Sequence, residues 1–272
     1  MAPVLTQTSS ARRPVSSALS FVPAFERLGW VVLSLAAFVL LWQAVAYVAD
    51  DARRFPAPAV VFATMSSLAN AGALWSNIGV TLERLVYAFT AAMTIGSVIG
   101  ILLGLFPKAD RFFDPWLTLF LNLPAIVTIT LCLIWGGMNQ AAIITAVALN
   151  KIPNTAVTMR EGTRGLSRDL IEMAQVYRFG WWKTLRHVTI PQLAPFFAAA
   201  ARAGLALIWK IVLVVEALGG NGRGVGYQIF IAFQEFDVAT ILAYALAFII
   251  IVQMIETAIM QPLIARVNQW RR

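Results

Sequence analysis

Charge is scarce in this sequence. Only 12% of its 272 residues are Asp, Glu, Lys or Arg, whereas 60% are hydrophobic. A soluble domain is about 25% charged and roughly 45–50% apolar. The apolar residues fall in long blocks, which is typical of helices that cross a bilayer. The shortage of charge therefore excludes a soluble domain and predicts an all-α, polytopic transmembrane bundle.

Cysteine and histidine occur once each, as Cys132 and His187. A single cysteine excludes an intrachain disulfide, and its place in an apolar block predicts a buried, inert thiol. A single histidine excludes a histidine-based metal cluster and a Ser-His-Asp triad. The sequence also lacks a G-x-x-x-x-G-K-[ST] phosphate loop, so the chain cannot hydrolyse ATP alone. We therefore expect no enzymatic activity, no metal site and no cofactor bound by this chain.

Positive charge exceeds negative charge, with a formal net charge of +8. The basic residues form no stripe with interleaved aromatics, so we expect no nucleic-acid partner. With a cytoplasmic N-terminus, the inner segments hold Arg12, Arg13, Arg27, Lys108, Arg111, Arg160, Arg164, Arg168, Arg178, Lys183, Arg186, Arg266, Arg271 and Arg272. The outer segments hold Arg53, Arg54, Arg84 and Arg223. By the positive-inside rule, this asymmetry predicts about six spans with both termini in the cytoplasm.

The apolar blocks divide the chain into a tail over residues 1–29 and a transmembrane domain over residues 30–272. The tail has no small-residue cleavage site after an apolar run, so we expect a cytoplasmic segment and no secretory signal. The predicted spans cover residues 30–49, 78–106, 116–135, 141–158, 193–218 and 240–263. Gly96, Gly100 and Gly104 recur every fourth residue, which predicts that another helix approaches the second span closely.

Several segments interrupt this pattern. Residues 60–74 are only moderately apolar and predict an interfacial helix on the outer side. Pro124 lies in the middle of the third block, and residues 150–154 interrupt the fourth. The glycine-rich segment from Gly219 to Gly226 follows a span rather than a strand, so a nucleotide site is not favoured. We expect a flexible connector or gate loop there.

The polar insert over residues 160–191 is the most informative segment. Ser167 is placed to cap a helix, and Asp169 to interact with the positive end of its dipole. Apolar residues follow at helical spacing and make one face. They are Leu170, Met173, Ala174 and Tyr177. Such an amphipathic helix lies on a lipid surface or docks in a groove of a partner protein.

The same insert resembles the EAA loop of ABC importer permeases. The family pattern is E-A-A, three residues, G, nine residues and I-x-L-P, and here it is matched by Glu172-Met173-Ala174 and Val188-Thr189-Ile190-Pro191. Arg178 stands at the position of the Gly, and Gly180 comes two residues later. The resemblance covers about residues 56–262. Three short segments look like the subgroup for nitrate, sulfonates and taurine: residues 81–84, 123–125 and 224–227.

The resemblance implies a type I ABC importer permease fold in a bacterial inner membrane, with a homodimer forming the translocation path. It also implies a coupling helix after Ser167 that docks on a cytoplasmic ATP-binding subunit, which binds ATP and Mg. A periplasmic or lipid-anchored substrate-binding protein would deliver the cargo. The residues assigned to docking are Leu170, Glu172, Met173, Ala174, Tyr177, Arg178, Gly180 and Pro191. A self-contained secondary transporter or channel is the alternative, and it would need its own coupling-ion site.

Charged residues inside the apolar blocks are costly in lipid and usually face the protein interior. They are Lys151, Arg202, Lys210, Glu216 and Glu256. Arg202 and Glu256 lie at a similar depth, which favours a buried ion pair between them, with Lys151 as an alternative partner. Lys210 lies nearer the outer face and is predicted to face the path. Since cations outnumber acids here, an anionic cargo is favoured.

Overall fold

The fold is all-helical over residues 24–262, the part of the chain that the computed structural model describes. Its α-helices are α1 (Ala24–Ala49), α2 (Pro58–Asn70), α3 (Ala73–Leu105), α4 (Pro107–Asn122), α5 (Ala125–Gly136), α6 (Gln140–Arg164), α7 (Arg168–Val176), α8 (Trp181–Thr184), α9 (Ile190–Gly219), α10 (Val225–Gln234) and α11 (Val238–Ile255). π-Helical turns over Leu185–Thr189 and Glu256–Met260 join α8 to α9 and extend α11. The predicted all-α fold is confirmed. Most of the predicted tail and the basic residues Arg266, Arg271 and Arg272 lie outside the described residues.

Four helical segments in this range are long and apolar enough to cross a membrane: Gly29–Ala49, Ala73–Leu105, Trp181–Gly219 and Val238–Met260. A fifth is possible if α4 and α5 form one span, although the two helices meet at 95°. Leu123 and Pro124 are both extended at this break. The third predicted span is therefore bent, because proline cannot continue the hydrogen-bond ladder of the helix before it.

Helix α6 replaces the interrupted fourth span of the prediction. It is 25 residues long and runs unbroken through Pro153. It does not meet the same test of length and apolarity, since Asn150, Lys151 and Asn154 make it polar. It nevertheless packs inside the bundle against α3 and α9. The described residues therefore contain four or five apolar spans. The sixth predicted span is the polar helix α6, which is stabilised by contacts with other helices rather than with lipid.

The helices alternate in direction, so the bundle has two ends. We call the end where α6 stops and α9 starts the α7 end, and the end where α9 stops and α11 starts the loop end. The interfacial helix expected over residues 60–74 is α2, which packs on α11 at the loop end. It stops at Asn70 because Gly72 adopts a left-handed conformation, with φ of 76°, that separates α2 from α3. Glycine takes this conformation without a steric penalty.

Helices α3 and α6 run side by side in the same direction through a seam of glycines. Gly96 faces Thr155, and Gly100 faces Ala156 and Met159. Gly104 faces Thr163 one turn further on. A methyl group on Gly96 would lie 2.7 Å from the Cβ of Thr155, closer than van der Waals contact allows. The close approach predicted from the glycine spacing is confirmed, and its partner is α6.

The glycine seam predicts that substitutions at two glycines of α3 have different effects on stability. Gly100→Val should overpack the contact with α6 and destabilise the protein by about 1–3 kcal/mol. Gly79→Ala is the matched control, because nothing lies within 4 Å of a methyl group there and alanine favours the helix. Thermal unfolding in detergent micelles should show a lower Tm for Gly100→Val and an unchanged or higher Tm for Gly79→Ala. Equal melting of both variants would contradict the seam.

Candidate functional site

Helix α7 forms where the sequence predicted it and stands outside the bundle, between the end of α6 and the start of α8. The Ser167 side chain accepts a hydrogen bond from the Leu170 amide over 3.4 Å, and Asp169 lies in the first turn. The Ser167 amide is held in turn by Gln192 of α9, at 2.9 Å. The helix contacts the π-helical turn before α9. Its start is therefore fixed by a cap and by one contact to the next span.

Helix α7 ends in a Schellman motif, in which two amides after the helix bond back to its last carbonyls. The Arg178 amide donates to Gln175 O over 2.9 Å, and the Phe179 amide to Ala174 O over 2.8 Å. Arg178 has a φ of 51°, in the left-handed region that favours glycine. The EAA pattern has glycine at this position. Arg178 therefore adopts a turn that glycine favours, at a cost of about 1–2 kcal/mol. Gly180 has an ordinary φ of −63° and does not replace it.

The apolar face of α7 is split between the interior and the surface. Ala174 is 1% exposed and faces the chain itself. Leu170 and Met173 are 42% and 37% exposed, and Tyr177 is 71% exposed. The other residues assigned to docking are exposed as well: Glu172, Arg178, Gly180 and Pro191. Helix α7 therefore leaves part of its apolar face exposed, most of all at Tyr177, whereas Ala174 packs against the chain and attaches the helix.

An ion-pair network fixes the segment that leads into α7. Asp110 in the first turn of α4 is buried and bonds to Arg160 over 3.1 Å and to Arg164 at the end of α6. Asp114 contacts Arg160, and Glu161 contacts both Arg160 and Arg164. The sequence placed these residues in two separate polar segments, so their contact was not foreseen. The network joins the end of α6 rigidly to α4 at the root of the α7 segment.

The Arg202–Glu256 pair is present but not buried. Arg202 Nε lies 4.0 Å from Glu256 Oε1, and the two side chains are 59% and 31% exposed. A buried ion pair was expected, and this is a correction. Arg202 lies on the outward face of α9, opposite the side that packs into the core. Where water reaches it, such an exposed pair contributes at most about 1 kcal/mol.

The other two cations in the predicted spans lie in different surroundings. Lys151 is 3% exposed, and its aliphatic chain packs on Gly204 of α9. Among the described residues no carboxylate lies within salt-bridge distance of it, so it is not the alternative partner of Glu256. Lys210 is exposed, with its Nζ 5.4 Å from the centre of the Trp209 ring.

Lys210 belongs to an exposed stripe along α9. Its members recur at helical spacing and are small, apolar or cationic: Ala199, Arg202, Ala203, Ala206, Leu207, Lys210, Val214 and Leu218. Arg202 and Lys210 are eight residues apart, or about 12 Å along the axis. Two cations on the lipid-facing side of a span are costly. This stripe therefore requires a cover or a water-filled path beside it.

A buried polar cluster near the loop end was missed from the sequence. Arg84 of α3 and Glu216 of α9 are 1% and 0% exposed, and their Nη1 and Oε1 atoms lie 2.8 Å apart. The Thr81 hydroxyl donates to Glu216 Oε2 over 2.9 Å. The prediction that Arg84 belongs to the outer basic residues is corrected, because Arg84 lies inside the bundle. Glu216 was identified as a charge in a span, but its partner was not.

The same cluster holds the glycine-rich loop. Arg84 donates to Arg223 O over 3.0 Å and to Asn221 Oδ1 over 3.1 Å. The Gly226 amide donates to Glu216 over 2.9 Å. Gly224 has a φ of 111°, and a methyl group there would lie 2.6 Å from the Glu216 carboxylate. The flexible connector that we expected is instead a loop fixed on an ion pair, and its glycines allow the close approach.

Comparisons with known proteins agree with this geometry. Residues 92–266 match the family model described as "Binding-protein-dependent transport system inner membrane component". The chain is 26% identical to the permease protein SsuC of Bacillus subtilis, named for aliphatic sulfonates transport, over 92% of this chain and 91% of that protein. It is 25% identical to the bicarbonate transport system permease protein CmpB of Synechococcus elongatus, over 80% and 82%. It is 24% identical to the taurine transport system permease protein TauC of Escherichia coli, over 87% and 88%.

Solved structures confirm the fold. A chain of the MetNI methionine ABC transporter, in an inward-facing conformation, superposes with a TM-score of 0.62 at 17% sequence identity. The superposition covers 70% of this chain and 94% of that chain. The predicted type I importer permease fold is thereby confirmed.

The Arg84–Glu216 and Arg202–Glu256 pairs predict different losses of stability when the glutamate is replaced by glutamine. Glu216→Gln strands the buried Arg84 guanidinium and should destabilise the protein by about 3–5 kcal/mol. Glu256→Gln breaks a pair in contact with solvent and should cost at most about 1 kcal/mol. Glu83→Gln, next to Arg84 but exposed, is the control. Melting curves in detergent should show a large drop in Tm for Glu216→Gln alone. An equal drop for Glu256→Gln would mean that this pair is buried in the functional assembly.

Proposed function

The chain belongs to the family of binding-protein-dependent transport system inner membrane components, and on that premise we propose that it is the permease subunit of an ATP-driven importer. It is a multi-pass component of the bacterial inner membrane. It performs no chemistry itself and binds no cofactor. ATP and Mg are held by a partner ATP-binding subunit, and a periplasmic or lipid-anchored binding protein delivers the solute.

The observation that carries this proposal is the exposed apolar face of α7. Leu170 and Met173 are partly exposed and Tyr177 largely so, on a helix that is capped at both ends and whose root is fixed by ion pairs. A rigid helix with uncovered apolar side chains fits a groove of a partner protein. Closure of two ATP-binding subunits would move their α7 helices and, through α6 and α9, the spans.

The solute path is proposed to run along the exposed stripe of α9. A second copy of the chain would bring its own stripe to face the first, so that the small residues allow close approach while Lys210 and Arg202 face water. Two copies would then place two Lys210 and two Arg202 side chains along the path, and since each Arg202 is paired with a Glu256, the lysines supply the excess positive charge. This charge favours a small anion, which agrees with the relatives named for sulfonates, taurine and bicarbonate.

The orientation follows from the charges at each end of the bundle. The α7 end carries Lys108, Arg111, Arg160, Arg164, Arg168, Arg178, Lys183 and Arg186. The loop end carries Arg53, Arg54 and Arg223. Arg84 is not counted there because it is buried in an ion pair. By the positive-inside rule the α7 end is cytoplasmic, and so are the start of α1 and the end of α11. The ATP-binding subunit is then on the correct side for α7.

The alternative of a self-contained secondary transporter or channel has less support. Such a protein needs carboxylates at a broken helix near the midplane. Glu216 is fully occupied by Arg84, Thr81 and Gly226. Glu256 has the Arg202 guanidinium as its ion-pair partner. An α7 that docks on no partner would also leave its apolar face unexplained.

Docking by α7 is tested with a charge on each of its two sides. Met173→Asp places a carboxylate on the proposed docking face, and Gln175→Asp places the same group on another exposed position of the same helix. The reconstituted importer should lose most solute-stimulated ATPase activity with Met173→Asp and keep it with Gln175→Asp. Both residues are exposed, so neither change should affect folding. Full activity of Met173→Asp would refute the docking role.

The path assignment is tested at Lys210. Lys210→Gln should reduce uptake of an anionic solute into proteoliposomes several-fold, because it removes the positive charge in the path. Its Tm should barely change, since the ammonium has no ion-pair partner among residues 29–262. Lys108→Gln, an exposed lysine at the α7 end, controls for the loss of one charge. Normal uptake with a lowered Tm would show that Lys210 is structural.

A further inference from the structure

Two tryptophans just after α7 form an exposed aromatic surface that neither the core nor the path uses. Trp181 and Trp182 are 75% and 67% exposed. Their rings stack on each other, with centroids 5.5 Å apart and planes 28° apart. A stacked pair of this size in contact with water is an exposed apolar patch, which usually marks an interaction site.

The pair continues the surface of α7. Val176 and Tyr177 at the end of α7 are 79% and 71% exposed. The Phe179 ring, 6.5 Å from the Tyr177 ring, lies between them and the tryptophans along the chain. The Lys183 ammonium lies 4.2 Å from the centre of the Phe179 ring. The apolar surface from α7 to α8 is thus held in shape by aromatic and cation–π contacts.

The length of the span places the pair outside the bilayer. The helical segment Trp181–Gly219 has 39 residues. At roughly 1.5 Å per residue and the average tilt of about 20°, it covers about 54 Å along the membrane normal. A bilayer with its headgroups is only about 40–45 Å thick. Even with Gly219 at the outer edge of the headgroups, Trp181 lies about 10 Å beyond the inner headgroups. A protein partner therefore fits the pair better than lipid does.

Basic residues flank the pair along the chain. Arg178 comes three residues before Trp181 and Arg186 four residues after Trp182, and both are exposed, as is Lys183. Tryptophan and arginine are the residues most enriched among those that dominate the affinity of protein interfaces. A cationic rim around an aromatic centre fits an apolar pocket with carboxylates at its edge. Such a rim also raises the association rate with an acidic partner.

From these observations we infer that Trp181 and Trp182 form a second docking element, which binds the same ATP-binding subunit as α7, in an apolar pocket with an acidic rim. This inference rests on the proposed function, because it assigns a further contact to the same partner. The α7 helix and the tryptophan pair then bind the subunit at two separate contacts.

Affinity between the intact partners tests this inference. The chain is placed in lipid nanodiscs and titrated with the ATP-binding subunit that co-purifies with it, carrying a fluorescent label. Trp181→Ala/Trp182→Ala should raise the Kd ten-fold or more. Trp75→Ala, which removes a tryptophan that is 59% exposed at the loop end, should leave the Kd unchanged. Lys183→Glu/Arg186→Glu should slow association and reduce its dependence on salt.

A second measurement separates the partner from lipid. The emission lost in Trp181→Phe/Trp182→Phe isolates the signal of the pair from the other tryptophans. This signal should not be quenched in nanodiscs of brominated lipid, and it should shift to shorter wavelength when the subunit binds. Quenching by brominated lipid with an unchanged Kd would make the pair a membrane anchor and overturn the inference. If Met173→Asp weakens binding and the tryptophan variants do not, only this inference fails; if neither weakens binding, the proposed function fails with it.

Discussion

The ion pair between Arg84 and Glu216 is the constraint on which the loop end of the bundle depends. Both groups are fully buried, so neither can be left alone without a large cost. Their contact therefore sets how α3 and α9 lie against each other. The remaining hydrogen-bonding groups of the pair are taken up by Thr81 and by the loop before α10. One electrostatic contact thus determines the positions of three helices and of the loop between two of them.

The opposite end of the bundle is built on the same physical rule. Asp110 is buried and binds two arginines at the end of α6, so α4 and α6 are fixed at the point where the α7 segment leaves. Between these two polar anchors, the glycine seam of α3 and α6 supplies close packing. The bundle is therefore fixed at both ends, and α7 stands outside it, in contact with the π-helical turn before α9. A motion of α7 would be passed to the spans rather than absorbed.

Three exposed surfaces of the single chain lack a suitable environment: the stripe of α9, the apolar face of α7 and the Trp181–Trp182 pair. The stripe of α9 carries Arg202 and Lys210 on a face that lipid would not tolerate. The face of α7 and the pair Trp181 and Trp182 are apolar and uncovered. The first surface fits a second copy around a path with water, and the others fit a water-soluble partner. The proposed assembly rests on these exposed cations and apolar side chains, which a single chain leaves without a suitable environment.

The sequence by itself determined the class of the protein and the local features of its main site. Apolar block length predicted most helices, glycine spacing predicted a close helix contact, and Ser167 predicted the start of α7, because these are properties of one segment. Tertiary structure alone decided which helix packs on the glycines of α3, the partner of Glu216 and the exposure of Arg202. Each depends on contacts between residues distant in sequence, and no periodicity along the chain records which helix faces will meet.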